Sequence, residues 1–102
     1  MKKYKCPIHP DIPVIEIPFG SKKKTHAFII QCGDSAAIVV DSDIRNETWF
    51  TEDHLTAILA HEVGHFHKGE DEVAAETWAI EKLRELNEKT AEEILLERGV
   101  VS

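Results

Sequence analysis

Short strands followed by paired helices predict an α+β domain, a small, mostly antiparallel sheet packed on a helical hairpin. Three observations carry this. Alternating or wholly apolar runs, bounded by glycine, proline and serine, fill the stretch from Val14 to Val40. Apolar residues then recur three and four apart from Leu55 to Leu86, the spacing of a helix face. Finally, 102 residues, 42% of them hydrophobic, suffice for one core and leave no room for a second. Residues 1–102 are therefore read as a single minimal domain.

Pro7, Pro10 and Pro13 forbid a regular helix over residues 1–13 and favour an extended N-terminal arm. Val14-Ile15-Glu16-Ile17 alternates as a short strand, closed by Pro18 and by Gly20-Ser21. After a lysine turn, Thr25 to Cys32 reads as a second strand. Gly33-Asp34-Ser35 is a tight turn into Ala36 to Val40, a third strand that is apolar and therefore buried, so the last two form a hairpin. Asp41 to Asn46 is a polar connection.

The next element is a helix over about residues 51–68. Thr51 suits its N-cap, Glu52 and Asp53 suit the positive end of its dipole, and Gly69 suits its C-cap. Leu55, Ile58, Leu59, Glu62 and Phe66 fall on the expected core stripe, with His61 and His65 at its margin. Gly64 inside this helix costs about 1 kcal/mol relative to alanine, which predicts that something approaches the backbone closely there. A second helix over about residues 71–87 carries Ala75, Trp78, Ala79, Leu83 and Leu86 on one stripe, the alanines letting two helix axes come close. Thr90 and Glu93 form a capping-box pattern for a third helix to about Arg98, ended by Gly99, so that residues 88–102 make a C-terminal helix and tail.

Charge excludes some partners. Twelve Lys and Arg against 19 Asp and Glu give −7, which argues against nucleic acid and against an anionic membrane surface. Lys2, Lys3 and Lys5, and then Lys22, Lys23 and Lys24, read as solvated surface. The longest wholly apolar run, Ala36 to Val40, is far short of a membrane span, and the lysine-rich start leads into Cys6-Pro7-Ile8-His9-Pro10 and not into an apolar stretch. The expectation is a cytoplasmic protein with reduced cysteines at Cys6 and Cys32.

The chemistry lies in Ala60-His61-Glu62-Val63-Gly64-His65-Phe66. His61 and His65 are four apart, so on a helix they stack on one face and aim two imidazole nitrogens at one cation, Zn2+ by preference. Glu62, beside the first histidine, is placed to take a proton from a zinc-bound water. A catalytic zinc takes a third protein ligand, and downstream of His67 only acidic candidates remain. Glu72 and Glu76, again four apart, share a face beside the Ala75/Ala79 stripe; in an antiparallel hairpin Glu72 lies near His65 and Glu76 level with His61. The order of preference is Glu72, then Glu76, then Asp71, with Glu76 suited to accept the second ring N–H of His61.

Leu55 to His65, followed by Glu72-Val73-Ala74-Ala75-Glu76 and Ala79, resembles the gluzincin zinc metallopeptidases. It is most similar to the HtpX and CAAX-protease-like group and the soluble minigluzincins, with the ImmA/IrrE-type proteins close behind. The resemblance covers roughly residues 25–83. It implies a zincin-like fold, with His61, His65 and Glu72 as zinc ligands and Glu76 as the partner behind them. His26-Ala27-Phe28 resembles the Asn-Ala-Phe stretch of that group, which implies that Ala27 and Phe28 border the substrate cleft. Glu76 stands where the pattern has Asp, and His26 where it has Asn.

These readings converge on a zinc metallopeptidase that hydrolyses peptide bonds of a peptide or protein substrate, with Glu62 as general base. The substrate is expected to lie extended along a strand edge from Ala27 to Gln31. Tyr4 is the chain's sole tyrosine, which leaves Arg84 as a weak candidate for stabilising the oxyanion. Latency has two candidate devices: a Cys6 thiolate at the open zinc position, and residues 88–102 folded across the cleft or exchanged in a homodimer, with a monomer as the other state. The alternative is a non-enzymatic zinc-binding or peptide-binding module on the same fold. An open coordination position separates the two.

Overall fold

Alternation along the strands sets which side of the sheet meets the helices. The computed structural model describes residues 2–20 and 25–97. Its sheet has four strands, β1 (Lys2–Lys5), β2 (Pro13–Ile17), β3 (Ala27–Cys32) and β4 (Ser35–Asp41), in the order β1-β2-β4-β3. The β1–β2 and β3–β4 pairs are antiparallel and the β2–β4 pair is parallel. A 3₁₀ helix (Ser42–Asn46) leads to α1 (Glu52–Lys68), α2 (Glu72–Glu85) and α3 (Lys89–Glu97). The fold is α+β, as expected, and among the described residues no helix is long and apolar enough to cross a membrane.

Register places Val14, Ile38 and Ile29 in one row and Glu16, Val40 and Ala27 in the next, all on one face. That face is closed by the helices: Val14, Ile38 and Val40 are fully buried with Leu59, Ala60 and Val63 of α1 and Leu83 of α2. On the opposite face Phe28 and Ile30 remain exposed. β3 ends the sheet order, so one of its edges is not paired with another described strand.

Within the expected extended arm, residues 2–5 form β1, and Cys6, Ile8 and Ile12 behind them are buried in the core. Backbone pairing with β2 and the Cys6 N–H to Ile12 carbonyl bond of 3.0 Å fasten this segment. The connection after Asp41 is the 3₁₀ helix, capped by the Asp41 carboxylate, which accepts from the Asp43 N–H.

α1 begins and ends where expected. The Thr51 side chain accepts from the His54 N–H, and Gly69 takes the positive φ of its C-cap. Its core face is rotated from the expected stripe: Ala57, Leu59, Ala60, Val63 and Gly64 are buried, while Ile58, Glu62 and Phe66 are partly exposed. Small residues occupy the tightest part of the helix pair, and a hydrophobic stripe read from large side chains misses them. α2 is capped by Asp71, whose carboxylate accepts from the Ala74 N–H, and is closed by Asn87 in the left-handed region with the Glu88 N–H on the Leu83 carbonyl. α3 starts at Lys89, so Thr90 lies inside its first turn and the expected capping box is not its N-cap. The lysines at 22–24, and Arg98 and Gly99 at the expected helix end, lie outside the described residues.

One charged cluster ties these layers together. Glu16, almost fully buried on the helix-facing side of β2, accepts from Arg45 Nε at 2.8 Å, from Arg45 Nη2 at 2.9 Å and from the Tyr4 hydroxyl at 2.6 Å, while Arg45 Nη1 reaches Glu52 at 2.7 Å. The Arg45 hydrogen bonds, opposed in part by burial and helped by Tyr4, hold the Glu16 carboxyl below the usual glutamate range. A depressed carboxyl pKa contributes stability above the unfolded value of about 4.3, and that contribution is lost as pH falls through the lower folded value. Glu16→Gln is accordingly expected to lower stability by about 2 kcal/mol at pH 7, between the surface-pair and buried-pair ranges. Thermal melts from pH 7 to pH 2.5 check this: the gap between wild type and variant should close in acid, and a constant gap contradicts it.

Candidate metal centre

The antiparallel pairing of α1 and α2 brings two i, i+4 pairs together. Gly64 makes the approach close: a Cβ built on it would lie 2.3 Å from the Ala75 carbonyl oxygen. Across this contact Glu72 lies beside His65 and Glu76 beside His61. Glu72 Oε1 is 3.0 Å from His65 Nε2, and Glu72 Oε2 is 3.2 Å from His61 Nε2. The two Nε2 atoms are 3.0 Å apart. Donor atoms of His61, His65 and Glu72 all lie within 4.8 Å of one another, the one such group among the described residues.

The other ring nitrogens are held from behind. His61 Nδ1–H donates to Glu76 Oε1 at 2.7 Å, and Glu76 is fully buried. His65 Nδ1 lies 2.7 Å from the carbonyl oxygen of Gly69. A carbonyl only accepts, so this nitrogen carries the proton. With both Nδ1 atoms protonated, two Nε2 lone pairs and the Glu72 carboxylate converge on one point. A proton on one of the two imidazoles, or a cation held by all three groups, relieves the repulsion within such a set. Two imidazoles and a carboxylate, with no fourth protein donor among the described residues, fit a divalent metal with an open position, and suit zinc.

Glu62, partly exposed, follows His61 and faces the same cleft, whose volume is about 330 Å³. The opposite wall is Thr25, His26 and Ala27, with Ile58 at one end. Ala27 is among the residues that line this cleft. Phe28 does not line it: strand alternation turns its side chain to the other face, where its ring packs on Phe19 with centroids 5.5 Å apart. Asp71 is a helix cap and not a member of the donor group. His67 also stands outside the group, its ring against Trp78 and His9, and burial lowers its pKa. Arg84 is paired with Glu92 at 2.7 Å and does not line the cleft, which removes the oxyanion candidate read from sequence. Cys6 is fully buried in the core, where burial pushes its thiol pKa up, so it is not a thiolate beside the donor group.

Sequence reasoning gave no part in the site to Ile58, which it placed on the core stripe, to Thr25 or to the Gly69 carbonyl. Only the last left a signal, since Gly69 follows His65 by four residues at a helix end whose carbonyls need partners. Beyond Ile58 a second, more apolar cavity of about 340 Å³ opens between Trp49, Ala57 and Ile94.

Residues 10–87 match the family model of peptidase family M48, a span that runs from β2 to the end of α2 and holds the whole donor group. No curated protein and no solved structure matches the chain.

Proposed function

Because the chain belongs to peptidase family M48, we propose that it is a zinc-dependent metallopeptidase in which His61, His65 and Glu72 hold the ion and Glu62 is the general base. The observation that carries this reading is the convergence of three donor atoms whose two histidines are each anchored through Nδ1. When bound, zinc supplies Lewis acidity, bringing the pKa of a water towards neutrality and polarising a carbonyl.

The chain's own groups do the rest. Glu62 accepts the proton of the attacking water as its oxygen bonds to the peptide carbonyl carbon, and returns it to the amine nitrogen as the C–N bond breaks. Glu76 and the Gly69 carbonyl fix both histidines in the tautomer that presents Nε2. The edge of β3 that no other described strand pairs with suits an extended substrate whose backbone pairs along Ala27 to Gln31. The Trp49–Ile94 cavity, adjoining the cleft at Ile58, suits an apolar substrate side chain.

A three-donor set favours catalysis over a structural site, which would be closed by a fourth protein ligand. The pairing of Glu72 and Glu76 with the histidines supports the finer likeness to minigluzincins and HtpX-type enzymes. Latency through residues 88–102, a cytoplasmic setting, and a monomer or a homodimer through that segment remain part of this proposal.

Metal analysis of purified protein tests it. Wild type should bind one zinc with two nitrogen and two oxygen ligands by X-ray absorption. Glu72→Ala should lose the ion on dialysis, and its retention there would sink the ligand assignment. Glu76→Leu, which removes only the acceptor behind His61, should weaken zinc affinity by about 10–100-fold. Unchanged affinity would leave Glu76 with a packing role alone.

A further inference from the structure

The cleft holds a group that the mechanism above does not use. As the water oxygen attacks, negative charge develops on the substrate carbonyl oxygen, and a fixed donor aimed at that oxygen lowers the barrier. Around the cleft, Glu62 and Glu72 carry carboxylates that repel such a charge, and Ala27 and Ile58 have no polar side-chain atoms. Two side-chain donors remain on the wall facing the histidines. The Thr25 hydroxyl is engaged, donating to the Ala27 carbonyl at 2.9 Å. That leaves His26.

Its position is set from two sides. The His26 carbonyl accepts from the Asp41 N–H at 2.9 Å, which fastens this residue to the end of β4 just before β3 begins. Its ring lies edge-on against Trp49, centroids 5.6 Å apart, and Trp49 is braced in turn by Phe50 and His54. The ring is thus propped at the cleft wall by packing, and the residue is exposed to solvent.

From this we infer that His26 is a further catalytic residue, its imidazole N–H donating a hydrogen bond to the oxyanion that forms on the scissile carbonyl. The inference rests on the peptidase reading above. The proton stays on His26 throughout; Glu62 alone transfers one.

The test compares zinc-loaded wild type, His26→Phe and His26→Gln. Phenylalanine keeps a ring against Trp49 and removes the donor, whereas glutamine restores a donor. Two probes are titrated calorimetrically: N-phosphoryl-Leu-Phe-amide, whose tetrahedral oxygens mimic the oxyanion, and the planar chelator Leu-Phe-hydroxamate. In His26→Phe the phosphoryl probe should weaken by about 10²-fold, the usual worth of one such donor in kcat, while the hydroxamate changes by less than about threefold. His26→Gln should regain at least about tenfold of that loss. On any peptide that is cleaved, kcat should fall with the phosphoryl affinity and KM should stay near its wild-type value. Equal weakening of both probes, or none of either, overturns the inference. Failure of the hydroxamate to bind zinc-loaded wild type overturns the peptidase reading beneath it.

Discussion

Glu62→Gln is expected to lower peptide hydrolysis by about 10²–10⁴-fold, the range that general acid–base catalysis supplies, while zinc content and melting temperature stay at wild-type values. The separation follows from position. Glu62 lines the cleft beside His61 yet is not a member of the donor group, and it is only partly buried, so a neutral isostere removes the proton acceptor without emptying the metal site or opening the core. The measurement is cleavage of a peptide pool by zinc-loaded wild type and variant, read by mass spectrometry. Peptides rich in leucine and phenylalanine belong in the pool, because the cavity beside Ile58 is lined by Trp49, Ala57 and Ile94. If wild type cuts nothing that the variant leaves whole, the catalytic half of the proposal fails while the metal-site half stands. Loss of zinc in the variant would instead move Glu62 into the ligand set.

That the sequence pointed to the residues the fold brings together has a physical cause. Its geometry is built from local rules: i, i+4 stacking on α1, the same spacing on α2, and an antiparallel hairpin closed by the cap pair Gly69 and Asp71. Each rule acts over a few residues, so Glu72 and Glu76 could be ranked against His65 and His61 from spacing alone, and the distances follow that ranking. Long-range pairings left no such trace. β1 is three lysines and a tyrosine held by backbone bonds at an edge, with no apolar alternation to announce it. Nothing near Glu16 names Arg45, 29 residues away, as the partner that makes its burial tolerable. The parallel β2–β4 pairing, reached across a hairpin strand, is likewise a choice of topology. His26 reads from sequence as the start of a strand and as the residue standing where the family pattern has Asn, with no chemical role, and only the third dimension sets it in the same cleft as His61.

Gly64→Ala tests the joint between fold and site, because two arguments assign it opposite signs. Helix propensity alone favours alanine by about 1 kcal/mol. Against this, the new Cβ would sit 2.3 Å from the Ala75 carbonyl oxygen, 2.9 Å from its carbonyl carbon and 3.1 Å from its Cα, all of them backbone atoms of α2. A flexible side chain could swing away from such a contact, but a helix backbone moves only as a unit, so α2 must shift outward and loosen the core around the fully buried Ala79 and Leu83. Overpacking of this kind costs about 1–3 kcal/mol and more where backbone must yield, so the net effect should be destabilising by about 2 kcal/mol. For a domain of this size that is a melting temperature lower by about 10 °C. The same shift carries Glu72 and Glu76 away from His65 and His61, so zinc affinity should fall in step with stability, although no ligand has been altered. Thermal melts of the metal-free protein and zinc titrations of the metal-free variant at a temperature where it is folded separate the two effects. A higher melting temperature would mean that the helices can part freely at this point, and the close approach would then not be what holds the carboxylates against the histidines.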